Sequence, residues 1–279
     1  MLDFRSIDSL IELALAEDIG TGDITTEATV STTQNGIGVI IVEDDGVIAG
    51  LPVVERVFQK IDPSLEFRKF ASDSDRVKKM TPIAEVKGRV KPILTGERTA
   101  LNFLQRLSGI ATMTAQFVEL AEKYDVQITD TRKSTAGWRV VQKYAVYTGG
   151  GKNHRFGLFD GILIKDNHII AAGSVAKAVK KAKLKAPHTM KIEVEVETPD
   201  QVEEALSEGA DILLLDNMSV ELMRTTVKNV AGRALIEASG NITIDKVDAV
   251  AATGVDLISV GALTHSAIPL DMSLDLTLN

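Results

Sequence analysis

Apolar residues follow two different rhythms along this chain of 279 residues. Residues 1–17 place Ile7, Leu10, Ile11, Leu13 and Leu15 on or near one face of an amphipathic helix. From 36 to 95 the pattern is strand-like. GIGVIIVEDDGVIAG, LEFRKFAS and IAEVKGRVKPIL are short β-rich runs broken by Gly, Pro and Asp, with one helix, LPVVERVFQKI, among them. This reads as a small α/β sandwich. A long helical stretch, TGERTALNFLQRLSGIATMTAQFVELAEKY (95–124), then closes the first rhythm.

Beyond it, short apolar strands alternate with helices: VQITDT, GILIKD, KIEVEVE, DILLLDN, LIEASG and DLISVG. Such alternation implies parallel strands joined by right-handed crossovers. Nearly every strand ends in a polar or glycine residue, namely Thr131, Lys165, Glu195, Asp216, Ser239 and Gly261. Polar groups at the carboxyl ends of strands mark the active face of an α/β barrel. A doubly wound sheet would gather them at one switch point instead. Six strands are fewer than the eight of a full barrel, so a reduced barrel is expected. The predicted organisation is an α/β sandwich domain over 1–108 and a barrel domain over 109–266, with a tail, 267–279, packed on the first.

Composition adds exclusions. Apolar residues make up 44% and charged residues 25%, the balance of an ordinary soluble globular protein. No run of 18 uncharged apolar residues could span a membrane, and MLDFRSIDSLIELALAEDIG is too acidic for a signal or transit peptide. The absence of cysteine excludes disulfides, a thiolate nucleophile and cysteine-bound metal. A cytoplasmic location is expected.

The net charge of −8 argues against a general nucleic-acid or membrane surface. Its distribution is more informative. Thr131–Lys165 holds seven Lys/Arg against one acid, Asp160, a local +6 that leaves −14 elsewhere. A cationic patch in an anionic protein points to a small, strongly anionic ligand. Arg139 and Lys143 would equally suit a solvated basic helix face; Lys165, ending an apolar strand, would not.

The motifs sharpen this. DTRKST (130–135) sets Arg132, a planar fork for carboxylate or phosphate, beside the point charge of Lys133. GGGKNHR (149–155) is either a plain flexible connection or a loop whose amides approach an anion, with His154 and Arg155 following. In KIEVEVE, strict alternation turns Glu193, Glu195 and Glu197 into the barrel, where they need cations, a metal or ligand hydroxyls. Glu195 and Asp216 suit Mg²⁺, directly or through water, or the diol of a ribose; salt bridges to Lys133 or Lys165 are the plainer alternative. EASGNIT and SVGALTHS present Ser239, Gly240, Asn241, Gly261 and Ala262 ahead of helices, an arrangement that holds phosphate in many barrels, with Thr243 as a candidate helix cap. His168 and His265 read as structural. No zinc-protease histidine spacing, GxxxxGKS/T or GxGxxG occurs.

With these residues assembled, the chain resembles the quinolinate phosphoribosyltransferase family. The resemblance runs from EDIGTGDITT (17–26) through TGERTALNFLQRLSGIAT, DTRKSTAGWRVVQKYAV, GGGKNHRFGLFDGILIKDNHI, EVEVET, LLLDNMS and EASGNI to ISVGALTHS. It implies an N-terminal α/β sandwich, an incomplete barrel of the type II phosphoribosyltransferase kind, and a homodimer, or a higher oligomer, with shared active sites. It also implies transfer of phosphoribosyl from phosphoribosyl pyrophosphate to quinolinate with decarboxylation, with Mg²⁺. Arg132, Lys133, His154 and Arg155 would bind the quinolinate carboxylates, with Arg98 arriving from the neighbouring subunit. Lys133, Lys165, Glu195 and Asp216 would be the catalytic set, holding phosphoribosyl pyrophosphate, with Glu195 and Asp216 holding its Mg²⁺. Ser239, Gly240, Asn241, Gly261 and Ala262 would take the 5′-phosphate, and Thr131 and Val260 complete the substrate-binding set. Two departures stand out: Ala136 where the family usually has proline, and Tyr147 where many members carry arginine. The rivals are a paralogue of the same fold associated with molybdenum transport, a phosphosugar aldolase using Lys165, and a non-catalytic anion-binding module. The paralogue would alter NHR and IKDNH, which are intact here, and a pure anion binder would not want Glu195 and Asp216.

Overall fold

The computed structural model describes residues 4–278, so the first three residues of the expected N-terminal helix lie outside it. The chain forms two compact units: Met1–Ala115 with Ser134–Gly150 and Thr264–Asn279, and Gln116–Lys133 with Gly151–Leu263. The sequence-based boundary at 108/109 falls inside one continuous helix, Val90–Ala121.

The first unit is built on a four-stranded antiparallel sheet in the order Met272–Leu278, Asn35–Val42, Pro82–Arg89, Glu66–Lys69. Asn35–Val42 buries every second residue, the period that puts one face of a strand on a core. The helix Leu51–Ile61 buries Leu51, Val54, Val57 and Phe58 along one stripe. The Asp73 carboxylate accepts the Gly50 and Leu51 N–H groups at its start (2.8 and 3.0 Å) and a hydrogen bond from the Tyr144 hydroxyl at 2.6 Å. Burial, with Asp73 alongside, raises the Tyr144 phenol above its ordinary range.

Three expectations are corrected here. The N-terminal helix, Phe4–Ile19, buries Ile7, Ile11 and Leu15 at intervals of four, while Leu13 is 66% exposed, so its apolar stripe is narrower than the composition suggested. The long helix starts at Val90, not Thr95; Pro92 fits its first turn because no N–H is needed there. Lys143, expected on a solvated face, is buried on the helix Arg139–Thr148.

The second unit carries all six expected strands, parallel, in the order Gln127–Thr129, Leu257–Ser259, Leu235–Ser239, Ile212–Asp216, Ile192–Val196, Ile162–Ile164. Numbered along the chain this is 1-6-5-4-3-2, the cyclic order of a barrel with one seam left open. The seam separates Gln127–Thr129 from Ile162–Ile164, the strands flanking the cationic segment 130–161. Part of that segment lies along the open edge, where Thr129 and Lys152 form a parallel bridge. The crossover helices Val175–Lys185, Pro199–Ser207 and Val220–Val230 begin at Ser174, Thr198 and Ser219, whose hydroxyls accept the Lys177, Gln201 and Leu222 amides.

Candidate active site

Register sets which groups meet. Ser239 pairs with Asp216, and Ser259 with Thr129, so the carboxyl ends of these strands lie at one height. Glu193 and Glu237 stand on strands separated by Ile212–Asp216, yet their carboxylate oxygens and a His154 ring nitrogen lie within 4.8 Å of one another. Only side chains inside the curved sheet can meet in this way. Glu195 is buried as expected. Glu197 is not: it lies past the strand, exposed, with its N–H donated to Gln201 Oε1 at 2.7 Å.

Two arginines dominate the cationic side. Arg155 donates from Nη1 to the Gly161 carbonyl at 2.9 Å. The Nε atoms of Arg132 and Arg155 are both buried without a hydrogen-bond partner. Burial and the like charge of Arg132 push the Arg155 guanidinium below its usual range, with Glu193 and Asp160 offsetting part of this. Two repelling guanidiniums with orphaned donors form a site that a multiply charged anion would complete. Lys133 is exposed beside them, its N–H donated to Thr131 Oγ1 at 3.0 Å.

Within the glycine run, the first residue has a packing role. Gly149 ends the helix Arg139–Thr148, and a Cβ there would collide with the Ala111 carbonyl, so close backbone packing demands glycine. The turn then carries the chain to Lys152, whose N–H is donated to Ile128 O at 2.8 Å.

His154 is held by the buried Asp130, which accepts its backbone N–H at 2.9 Å. Its Nδ1 accepts the Arg155 N–H at 2.7 Å, so the neutral ring carries its proton on Nε2, 3.1 Å from Glu193 Oε2 and 3.6 Å from Glu237 Oε1. His154, Glu193 and Glu237 are the one three-ligand group among the described residues with metal-like spacing. In this tautomer the Nε2 proton points at the two buried carboxylates and the ring acts as a donor to them. The sequence reading missed Asp130 and Glu237; an acid inside the apolar run LIEAS was the available signal.

Burial, with Glu193 nearby, raises the Glu237 carboxyl from 4.5 to about 7, against partial relief from His154. An unfolded glutamate ionises near 4.5, while the folded one keeps its proton until about 7. The stabilisation is therefore complete below 4.5 and is lost as pH rises toward 7. Glu237→Gln cannot ionise, so it should be more stable than the parent at pH 8 by roughly 2–4 kcal/mol, the advantage shrinking toward pH 5. Thermal unfolding of both proteins at the two pH values checks this; equal pH dependences would show that Glu237 is ionised throughout.

On the opposite side, Lys165 Nζ lies 3.0 Å from Glu195 Oε2, half exposed at its strand end. His168 Nδ1 accepts the Lys165 N–H at 2.9 Å, a structural role at the start of the helix Asp166–Ala172. Asp216 accepts from Asn217 Nδ2 at 2.7 Å. Glu195 and Asp216 offer oxygen ligands only. They fit Mg²⁺ in its common mode, in which one or two carboxylates are joined by waters and substrate phosphates.

The anion loops depart from expectation in one respect. The helix after Ser239–Asn241 starts only at Val247, with Thr243 contributing its carbonyl and not a side-chain cap, and the helix Ala262–His265 is a single turn. Gly240 and Asn241 both have left-handed backbone, with φ of 91° and 50°. Val260 N–H is donated to Thr129 O at 2.9 Å, fixing the loop that carries Gly261 and Ala262. Arg98 lies in the first unit, exposed on the helix Val90–Ala121, and Tyr147 and Ala136 are exposed in that unit as well.

An anion-binding barrel face paired with acids is narrower than the fold, and the comparisons narrow it further. Residues 23–108 match the N-terminal domain of quinolinate phosphoribosyl transferase, and residues 110–275 match its C-terminal domain. A Bacillus subtilis (strain 168) protein named "Probable nicotinate-nucleotide pyrophosphorylase (carboxylating)" is 43% identical over 278 residues, covering 100% of this chain and 96% of its own. The crystal structure of NadC from Streptococcus pyogenes has a TM-score of 0.96 at 42% identity, covering 100% and 99% of the two chains. The nicotinate-nucleotide pyrophosphorylase from Francisella tularensis gives 0.94 at 41% identity, covering 99% and 98%. Both halves of the chain match, at full length and in order: it belongs to the quinolinate phosphoribosyltransferase family.

Proposed function

We infer that this chain is a decarboxylating quinolinate phosphoribosyltransferase. It transfers phosphoribosyl from phosphoribosyl pyrophosphate to quinolinate, giving nicotinate mononucleotide, pyrophosphate and CO₂ for NAD biosynthesis. The observation that carries the reading is the Arg132–Arg155 pair, two half-buried arginines whose Nε atoms are buried and unpartnered, with Glu193 and Asp160 close enough to Arg155 to offset part of its charge. Two carboxylates on one rigid ring answer two guanidiniums; a single carboxylate leaves one of them unpaired.

The ring nitrogen lone pair attacks ribose C1, and the bond from C1 to the pyrophosphate oxygen breaks with its electrons. Glu195 and Asp216 face the positive charge that develops on the ribose, and Lys165 and Lys133 face the negative charge on the departing group. The bond to the ring 2-carboxylate then breaks, CO₂ leaves, and the electron pair stays on carbon beside the cationic nitrogen until it takes a proton. Arg132, Lys133 and Arg155, with His154 held between them and the buried acids, fix the ring in line. Glu195 and Asp216 would hold Mg²⁺, which when bound supplies charge neutralisation for the pyrophosphate. The 5′-phosphate goes to the amides of Ser239–Asn241 and of the Val260–Ala262 loop. A phosphosugar aldolase suits the site less well, because Lys165 is half exposed and ion-paired to Glu195 instead of enclosed in an apolar pocket.

We place Arg98 in the partner subunit's site and take the enzyme to be a homodimer. A cytoplasmic setting agrees with a chain that lacks cysteine and in which no described helix is long and apolar enough to cross a membrane.

The test is pyrophosphate and CO₂ release with quinolinate or nicotinate as acceptor. Nicotinate leaves buried cations unpaired, so its kcat/KM should be lower by roughly a hundredfold or more. Comparable values for the two acids would sink the assignment.

A further inference from the structure

Resting on the reading above, we propose that Asn217 is a positioning residue that fastens the Asp216 carboxylate to the Ser239–Asn241 loop, so that the ribose and the 5′-phosphate of phosphoribosyl pyrophosphate are gripped as one unit. Three hydrogen bonds converge on this residue. Its Nδ2 donates to Asp216 Oδ2 at 2.7 Å, its Oδ1 accepts from Asn241 Nδ2 at 3.1 Å, and its backbone N–H is donated to the Ser239 carbonyl at 3.0 Å. One side chain thereby spans the ends of two adjacent strands, Ile212–Asp216 and Leu235–Ser239, which are in register at Asp216 and Ser239.

The backbone makes room for this arrangement. Asn217 (φ 53°), Gly240 (φ 91°) and Asn241 (φ 50°) all occupy the left-handed region, which side-chain-bearing residues other than asparagine rarely adopt. A Cβ on Gly240 would collide with the Asn217 side chain and would come within 2.7 Å of its backbone nitrogen. At the two asparagines this backbone costs some conformational energy; at Gly240 it does not. It persists where a particular placement of side chains and amides is needed. The amide orientation carries direction as well: the NH₂ end must face the carboxylate and the C=O end must face Asn241. Aspartate, which has no donor when ionised, could not make both bonds.

Asp216 alone, on a free torsion, would sample several rotamers, and the amide holds it in one. The same amide pins Asn241, whose loop offers the phosphate amides. Substrate contacts to the carboxylate and to the loop are therefore coupled through one residue that is exposed and fills no core.

Asn217→Gly is the informative variant, because glycine adopts φ 53° without strain and only the side-chain bonds are lost. The expected result is a KM for phosphoribosyl pyrophosphate raised about tenfold or more, with KM for quinolinate within about twofold and the melting temperature nearly unchanged. Ribose 5-phosphate binding, measured by calorimetry with a chelator present, should weaken in the same variant, a readout independent of turnover and of any metal. A purely structural Asn217 would lower the melting temperature or move both KM values together, and either outcome overturns the proposal, as does an unchanged KM for phosphoribosyl pyrophosphate. Should Asn217→Gly fail to fold, Asn241→Gly, which also keeps its left-handed backbone without strain, breaks the clasp from its other end and should raise the same KM; no change there is equally decisive against it. A parent enzyme that cannot use phosphoribosyl pyrophosphate with quinolinate would instead defeat the functional reading itself.

Discussion

Lys165→Ala should lose turnover by roughly a thousandfold while the protein stays folded, in line with removal of a pre-aimed charge from a transition state. The side chain is half exposed at a strand end, so its removal leaves no cavity in the barrel interior. Its loss does strip Glu195, a buried carboxylate, of a counter-ion 3.0 Å away, and that alone could disturb the site. A double-mutant cycle separates the two causes. If the damage comes only from the stranded carboxylate, Lys165→Ala in a Glu195→Gln background should be nearly silent. If Lys165 faces the departing pyrophosphate, the second substitution leaves most of the loss in place. Lys165→Arg should also fail, because a planar fork does not replace a compact ammonium at the end of a strand. Activity of Lys165→Ala within a few-fold of the parent would remove it from the chemistry altogether.

How legible this site was depended on how local the information is. Every barrel strand was readable, because a parallel strand buried on both faces is an apolar run that stops at a polar residue, as ILIK and ILLLD do. Lys165 was noticeable for the same reason, because it ends such a run, and the structure pairs it with Glu195. What could not be read is which strand ends meet across the barrel. Glu237 looked like part of an ordinary LIEAS strand until closure brought it against Glu193 and His154. The Glu193–Glu195–Glu197 alternation was right for two residues and failed at the third, because the strand ends at Val196 and period two ends with it. Lys143 shows the converse limit. Helical spacing says which residues share a face, and says nothing about what covers that face. The left-handed conformations at Asn217 and Asn241 were invisible too, since asparagine permits that backbone without requiring it.

The Arg132–Arg155 pair and the Glu193–Glu237 pair are two forms of one problem. In each, like groups are crowded into a buried space, and each needs a neutralising partner. For the acids the partner is a proton, held on Glu237 to about pH 7. For the arginines, whose buried Nε atoms have no partner, we propose that it is the anionic substrate. Glu193 contributes to both, lying against His154 and partly offsetting the charge on Arg155. If the arginines bind quinolinate as proposed, its binding is coupled to the protonation of the barrel interior through Glu193, and a substitution in either pair should alter the pH dependence of the other.

Arg98→Ala should be almost as damaging as Lys165→Ala, for a reason that a single chain does not display. Arg98 sits in the first unit, exposed, while the residues it is proposed to join are in the second. The simpler account is a surface arginine that interacts with its neighbour Glu97. Burial raises the Glu97 carboxyl, and Arg98 only partly opposes that shift. A surface pair of this kind is worth about 0–1 kcal/mol, so on the simple account the variant is nearly silent. If Arg98 instead meets a substrate carboxylate in the partner subunit's site, its loss should cost roughly 2–5 kcal/mol in kcat/KM with little change in melting temperature. Mixing Arg98→Ala with Lys165→Ala protein then decides whose site Arg98 serves. In a heterodimer with shared sites, one site receives both lesions and the other receives neither. Random exchange makes about half of all dimers mixed, and half of their sites intact, so activity should return to about a quarter of the parent from two nearly inactive parents. An Arg98 that served its own subunit would leave each site of the heterodimer with one lesion, and nothing would be restored. No recovery, with exchange confirmed by mass spectrometry of differently tagged subunits, would return Arg98 to its own chain.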